Sequence, residues 1–144
     1  MKDEIFFDTT ILVYAHDITE TTKRNICKPL IESVFKGESL GVVSNQVLAE
    51  LFSVLTTKMK ASLPKEVAEK IVLDFIESSS WNKINYDTNT VKIAMFTSKI
   101  HNTSFWDSLI CETMKENGID KIYTENEKNF KKIPGIKVIN PLKK

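Results

Sequence analysis

The chain is poor in the residues on which several common chemistries depend. It has two cysteines, Cys27 and Cys111, both inside helical-looking apolar patterns and without CxxC spacing. That excludes a disulfide scaffold and a thiolate metal site, and points to two buried thiols in a reducing compartment. Histidine is as scarce: His16 and His101 lie far apart with no partner at ligand spacing, which disfavours zinc and suggests exposed or capping side chains. Four glycines, none in a GxGxxG or GxxxxGK[ST] pattern, leave no phosphate cradle for a dinucleotide or P-loop nucleotide. There is no GxSxG elbow and no Cys–His pairing for covalent catalysis. No apolar run nears the ~18 residues that a membrane span needs, and Asp3 and Glu4 stand where a secretory signal would carry basic residues. The expectation is a cytoplasmic protein with no membrane partner.

What is present suits one domain over residues 1–144. Hydrophobic residues make up 42% of the chain, enough for a real core, and charges of both signs are interspersed to a net +1. The balance hides an asymmetry, since the segment from Lys121 to Lys144 holds seven lysines against Glu125 and Glu127. Such an end can attract phosphates, although a lysine-rich tail is also an ordinary solvated surface. The short runs "IFF", "LGVV", "KINY", "KIYT" and "IKVI" are rich in branched or aromatic residues. Longer segments of helical period separate them, at about residues 9–15, 21–35, 45–60, 65–78, 88–100 and 105–117. This alternation predicts an α/β fold in three layers, α/β/α, around a central, mostly parallel five-stranded sheet. Gly37 and Gly118 read as helix stops, Pro64 as a first-turn residue, and Ser44 and Ser104 as N-caps.

Carboxylates occupy positions where they are costly. In "EIFFDTTILVYAHD", Asp8 ends the first strand, at the sheet edge where parallel α/β folds bind ligands. It could equally serve as the N-cap of the following helix. Glu50, in "SNQVLAELFSVL", shares a helix face or its edge with Val47 and Val54 and needs a cation, a metal or hydrogen-bond donors there. A structural pair with a lysine is the alternative. Asp107, in "SFWDSLICETM", borders the stripe of Ile110, Cys111 and Met114, and Ser104 three residues before it also spells a capping box. Glu125, Asn126 and Glu127 follow the strand "KIYT" in a loop that could simply be solvated. Carboxylates gathered in one crevice repel unless a cation neutralises them. Oxygen donors without His or Cys suit Mg²⁺ or Mn²⁺, whose waters serve phosphodiester hydrolysis.

"FFDTTILVYAHD", "SNQVLAELFSVLTTK", "SFWDSLICETMKENGIDKIYTENEKNF" and "GIKVINP" together resemble the PIN-domain family, specifically the small VapC-type toxins of bacterial toxin–antitoxin pairs, over residues 5 to about 141. The resemblance implies a Mg²⁺-dependent ribonuclease acting on single-stranded or tRNA-like RNA. By it, Asp8 and Asp107 would hold the metal directly, while Glu50 and Asn126 would position waters. Cleavage would leave a 5′-phosphate and a 3′-hydroxyl. It also implies a homodimer and a cognate antitoxin that covers the groove, with Leu48, Phe52 and Leu55 on helices two to four offering surplus apolar surface. RNA phosphates would meet Lys128, Lys131 and Lys132, and Phe105 and Trp106 would pack inside.

Two positions depart from the family pattern. Thr10 stands where Asn is usual, which affects the hydrogen bonding that supports the metal ligands. Asn126 replaces an acid, a loss that Glu125 or Glu127 could offset, with Thr10, Ser104 and Glu125 as supporting residues. The departures keep open a catalytically impaired PIN fold that binds RNA or protein. A haloacid-dehalogenase-like phosphatase is a further alternative, but it needs an Asp two residues after the first, where this chain has Thr10.

Overall fold

The computed structural model describes residues 3–143. Five strands form one sheet: β1 (Glu4–Phe7), β2 (Leu40–Ser44), β3 (Trp81–Ile84), β4 (Lys121–Tyr123) and β5 (Lys137–Ile139). Every pairing is parallel and the order is β3-β2-β1-β4-β5, so the first strand lies in the middle. Phe6 pairs with Val42 on one side and Ile122 on the other, and all three are fully buried. Such burial contributes roughly 1.5–3 kcal/mol per large apolar side chain. The central strand thus acts as the anchor from which both flanks extend.

Among the described residues, seven α-helices accompany the sheet: α1 (Thr9–Tyr14), α2 (Thr21–Phe35), α3 (Asn45–Ser53), α4 (Lys65–Glu77), α5 (Thr88–His101), α6 (Phe105–Glu116) and α7 (Glu127–Phe130). Helices α1 to α4 pack among themselves, and α5 packs on α6, which meets α7. Local chemistry explains the boundaries. Ser44 Oγ accepts the amide of Val47, and Ser104 Oγ accepts that of Asp107, both at 3.2 Å, as capping serines do. Gly37 and Gly118 follow α2 and α6 with φ of +76° and +71°, the left-handed turn that ends a helix.

Four expectations need correction. The helix expected over 45–60 stops as an α-helix at Ser53 and continues as a π-helical turn, Val54–Lys58. There the hydroxyls of Thr56 and Thr57 donate to the carbonyls of Phe52 and Ser53, and the amide of Met59 reaches back to Val54. The third strand runs two residues earlier than "KINY", because Trp81 is buried edge-on against Phe7 and Phe75. Pro64 occupies the N-cap of α4 and not its first turn. The short helix α7 was not expected at all.

Candidate active site

Asp8 sits at the junction of β1 and α1. Its amide continues the sheet by donating to the carbonyl of Tyr123 at 3.0 Å. Its carboxylate is split between two tasks. Oδ1 accepts the amide of Thr9 at 2.8 Å, so the capping reading holds for that oxygen. Oδ2 accepts the hydroxyl of Thr124 at 2.7 Å, across the sheet from the end of β4. The side chain is nearly fully buried, and that burial pushes its pKa up to about 6. Hydrogen bonds from Thr124 and Thr9 oppose the rise, whereas the charges of Asp107 and Glu50 add to it.

Asp107 lies in the first turn of α6. Ser104 satisfies its backbone amide, leaving the carboxylate to turn toward α7. There Oδ2 accepts Nδ2 of Asn126 at 3.0 Å and Nδ2 of Asn129 at 3.1 Å. Burial still holds this carboxyl above its ordinary value, against the bonds from Asn129, Ser104 and Asn126. Glu50 projects from α3, where Gln46 one turn earlier donates Nε2 to its Oε1 at 3.0 Å. Its pKa is raised by burial and by Asp107, with Lys58 acting in the opposite sense.

These three acids share one electrostatic neighbourhood, since Asp8 feels both others and Glu50 feels Asp107. Among the described residues none of them has an ion-pair partner within 4.0 Å, so the lysine pairing considered for Glu50 does not form. Neither do they close into a cage: among the described residues no three His, Cys, Asp or Glu side chains stand close enough together to hold an ion. The arrangement is an open rim of hard oxygen donors with unneutralised charge. That donor set fits an ion such as Mg²⁺, which keeps several waters and takes only one or two carboxylates. The Oγ1 atoms of Thr9 and Thr10, next to Asp8, are buried without hydrogen-bond partners.

The loop after β4 is connected to the site unevenly. Asn126 bonds Asp107 through its side chain, and its amide donates to Thr124 Oγ1 at 2.9 Å, so Thr124 links Asp8 to Asn126. Glu125 turns elsewhere, toward the hydroxyl of Tyr14 and Lys23 Nζ. Glu127 is held by Lys131 at 3.0 Å, Lys143 at 3.5 Å and Asn140 at 3.1 Å. Both glutamates thus turn their carboxylates to tyrosine, lysine and asparagine partners.

A groove of about 470 Å³ runs beside Glu50, lined by Gln46, Ala49, Glu50, Ser53, Lys58, Tyr86 and Trp106. Trp106 is 59% exposed, against the expectation that it packs inside. Phe105, half-buried, supports it in an edge contact with ring centroids 5.3 Å apart. The lysine at this groove is Lys58. Lys128, Lys131 and Lys132 are exposed on or just after α7; Lys131 bonds Glu127 and Lys132 bonds the carbonyl of Asn102.

Thr124, Gln46, Asn129 and Lys58 were not singled out from sequence. Two carried a signal: Gln46 precedes Glu50 by one helical turn, and Thr124 ends "KIYT" as Asp8 ends "IFF".

The remaining expectations divide. Cys27 and Cys111 are free and buried, and burial pushes the Cys27 thiol up to about 11. His16 and His101 are half-buried, His101 in the last turn of α5 where a capping histidine belongs, and burial lowers the pKa of His16. Leu55 and Leu48 belong to the core, with Leu48 and half-buried Phe52 at the edge of a groove of about 500 Å³ between α3 and α4. Exposed apolar side chains do lie on α2 and α4, at Ile26, Phe35, Val67, Leu73 and Ile76, and others on α5, at Ile93, Met95, Phe96 and Ile100. No helix among the described residues is long and apolar enough to cross a membrane.

Comparison with solved structures places the fold among toxin–antitoxin proteins. VapC20 of Mycobacterium tuberculosis, a sarcin–ricin-loop-cleaving toxin, superposes with a TM-score of 0.69 at 18% identity, over 86% of this chain and 91% of that one. VapBC2 of Rickettsia felis, solved bound to a DNA fragment from its promoter, gives 0.66 at 22% identity, over 95% and 98%. A toxin–antitoxin complex from Klebsiella pneumoniae gives 0.64 at 19% identity, over 95% and 97%. A search of curated protein sequences returned no match. The PIN domain family matches residues 5–136. With the match running from β1 through β4 and including every acid of the rim, this chain belongs to the PIN domain family.

Proposed function

We propose that the protein is a metal-dependent endoribonuclease, the toxin of a type II toxin–antitoxin pair. The observation that carries this reading is that Asp8, Glu50 and Asp107, from three separate elements, share one electrostatic neighbourhood with no ion-pair partner within 4.0 Å among the described residues. A structural role would favour partners for such charges, because unpaired buried carboxylates cost stability. Asp8 and Asp107 are the proposed ligands of Mg²⁺ or Mn²⁺. When bound, such an ion would offset their charge, polarise a phosphoryl oxygen and lower the pKa of water so that hydroxide is available to attack phosphorus near neutral pH.

The chain's own residues set the geometry around that chemistry. Thr124 and the Thr9 amide hold the two oxygens of Asp8, and Asn126 and Asn129 hold Asp107. Glu50, with its raised pKa, is suited to take a proton from the attacking water. Attack by water with loss of the 3′ oxygen leaves a 5′-phosphate and a 3′-hydroxyl, with no need for the substrate's 2′-hydroxyl. The lysines after β4, Lys128, Lys131 and Lys132, supply positive charge for the RNA backbone. An antitoxin covering the site and a homodimer complete the reading, the former supported by the toxin–antitoxin complexes among the structural relatives.

The test is cleavage of single-stranded RNA and tRNA with Mg²⁺ or Mn²⁺, comparing the native protein with Asp8→Asn and Asp107→Asn. Cutting by the native protein alone, abolished by a chelator, supports the nuclease. Equal cutting by all three preparations removes it. The open rim and Asn126 favour one second reading, a PIN fold that binds RNA or protein without cutting. RNA binding by all three without cleavage by any would support that alternative.

A further inference from the structure

The groove beside Glu50 has features that the acid rim leaves unexplained. Trp106 directly precedes Asp107 and exposes 59% of its surface, although a large aromatic ring normally gains by burial. Its backbone is pinned: the carbonyl accepts Gln46 Nε2 at 3.3 Å, and that same nitrogen donates to Glu50 Oε1. The ring is therefore presented on a fixed support beside a candidate catalytic carboxylate.

Gln46 supplies a second, independent observation. It is 9% exposed and lines the groove, yet its Oε1 has no hydrogen-bond partner. The amide cannot be turned to relieve this, since both neighbours of Nε2 are acceptors. A buried acceptor left unpaired costs stability, and because this oxygen is closed off from solvent a donor reaches it only if Gln46 shifts as a ligand enters. Lys58 lies on the wall, exposed, with the half-buried ring of Tyr86 also lining the space. An aromatic face and a cation match the base face and the phosphate of a nucleotide. At about 470 Å³ the groove is within the usual size of a small-ligand site.

We infer that Trp106 is a stacking platform for one base of a single-stranded RNA substrate beside the scissile phosphate, with Gln46 beneath the base and Lys58 on the adjoining phosphate. The inference rests on the ribonuclease reading for the word substrate, and its experiment separates the two. Trp106 and Trp81 are the only tryptophans, and Trp81 is buried, so RNA-dependent quenching of indole emission reports Trp106. Binding of a labelled oligoribonucleotide is measured by anisotropy in an Asp8→Asn background, with Glu50→Gln as the background if the first does not fold. Trp106→Ala should weaken binding by about 5- to 150-fold, and Trp106→Phe should retain most of the affinity. In the cleaving protein the same Ala variant should raise KM with kcat little changed. An RNA carrying one abasic nucleotide at the stacked position should lose as much on the native protein as Trp106→Ala loses on intact RNA, with no further loss when the two are combined.

Native cleavage together with unchanged affinity and KM in Trp106→Ala would overturn the stacking role and leave the nuclease intact. Binding that depends on Trp106 without any cleavage would do the reverse. Failure of any oligoribonucleotide to bind or quench would remove both.

Discussion

Asp8 illustrates how one side chain can be legible in the sequence and still carry two functions. Its place after "IFF" marks both an N-cap and a strand-end carboxylate, and the structure gives Oδ1 to the amide of Thr9 and Oδ2 to the hydroxyl of Thr124 across the sheet. The energetic consequence is a pH-dependent penalty. The carboxyl has its ordinary value of 3.8 when unfolded and about 6 when folded, so between those values the folded state alone holds the proton. Its favourable contribution is fully present below about pH 4 and is lost as pH rises through 6, after which the buried anion costs on the order of 3 kcal/mol. Asp8→Asn should therefore stabilise the metal-free protein at pH 7.5 by up to roughly that amount and have little effect at pH 4. Thermal melts at the two pH values check this, and an equal effect at both would contradict it. Asn126 is the complementary case. Asn126→Asp replaces a donor to Asp107 with a second carboxylate, and should cost roughly 1–3 kcal/mol at neutral pH without metal. If residue 126 lies in the field of a bound ion, the same variant should gain more Tm than the native protein when Mg²⁺ or Mn²⁺ is added. An identical metal response in the two proteins would place residue 126 outside that field.

Elements, by contrast, show where reading by period stops working. The sheet and six helices follow from short branched runs, caps and stops, because those signals are local. The helix expected over 45–60 failed at its end for a reason the pattern does not encode. Apolar spacing continues through Leu55, but the adjacent hydroxyls of Thr56 and Thr57 take carbonyls one turn back while the backbone widens to a π turn. That turn ends at Lys58, the cation of the groove, so the departure from regularity falls at the candidate site. Helix α7 was missed because four residues carry too little periodicity, and its Asn129 was missed with it. Strand β2 offers a cleaner test of element packing. At Gly41 an added Cβ would lie 2.7 Å from both Trp81 and Val34, where β2 is wedged between β3 and α2. Gly41→Ala should cost about 1–3 kcal/mol through overpacking. Denaturant unfolding measures it, and a loss of under half that size would mean the two neighbours yield easily.

At the scale of the whole molecule, the all-parallel order β3-β2-β1-β4-β5 turns distant acids into neighbours. Parallel strands deliver every C-terminal end to one edge, and the central strand brings Asp8 beside the start of α3, which follows β2 directly, and the loop after β4. This is why strand ends and helix-face spacing could suggest that Asp8, Glu50 and Asp107 are neighbours, whereas they could not suggest the side-chain directions of Glu125 and Trp106. Those depend on partners such as Lys23, Tyr14 and Gln46, which no local pattern names. The same limit applies to the outer surface. Helix α5 buries Thr90, Ala94 and Thr97 and exposes Ile93, Phe96 and Ile100, spaced three and four residues apart on another face. Neighbouring Met95 widens the apolar patch. Clusters of this kind commonly mark association surfaces, and a homodimer using α5 would remove this one from water. Replacing Phe96 and Ile100 together with Asp should shift the protein from dimer to monomer in sedimentation or light scattering. Because both side chains are already more than half exposed, the monomer's own Tm should change little. A dimer that persists would assign the interface elsewhere, and a monomeric native protein would show that the second copy is not what covers α5.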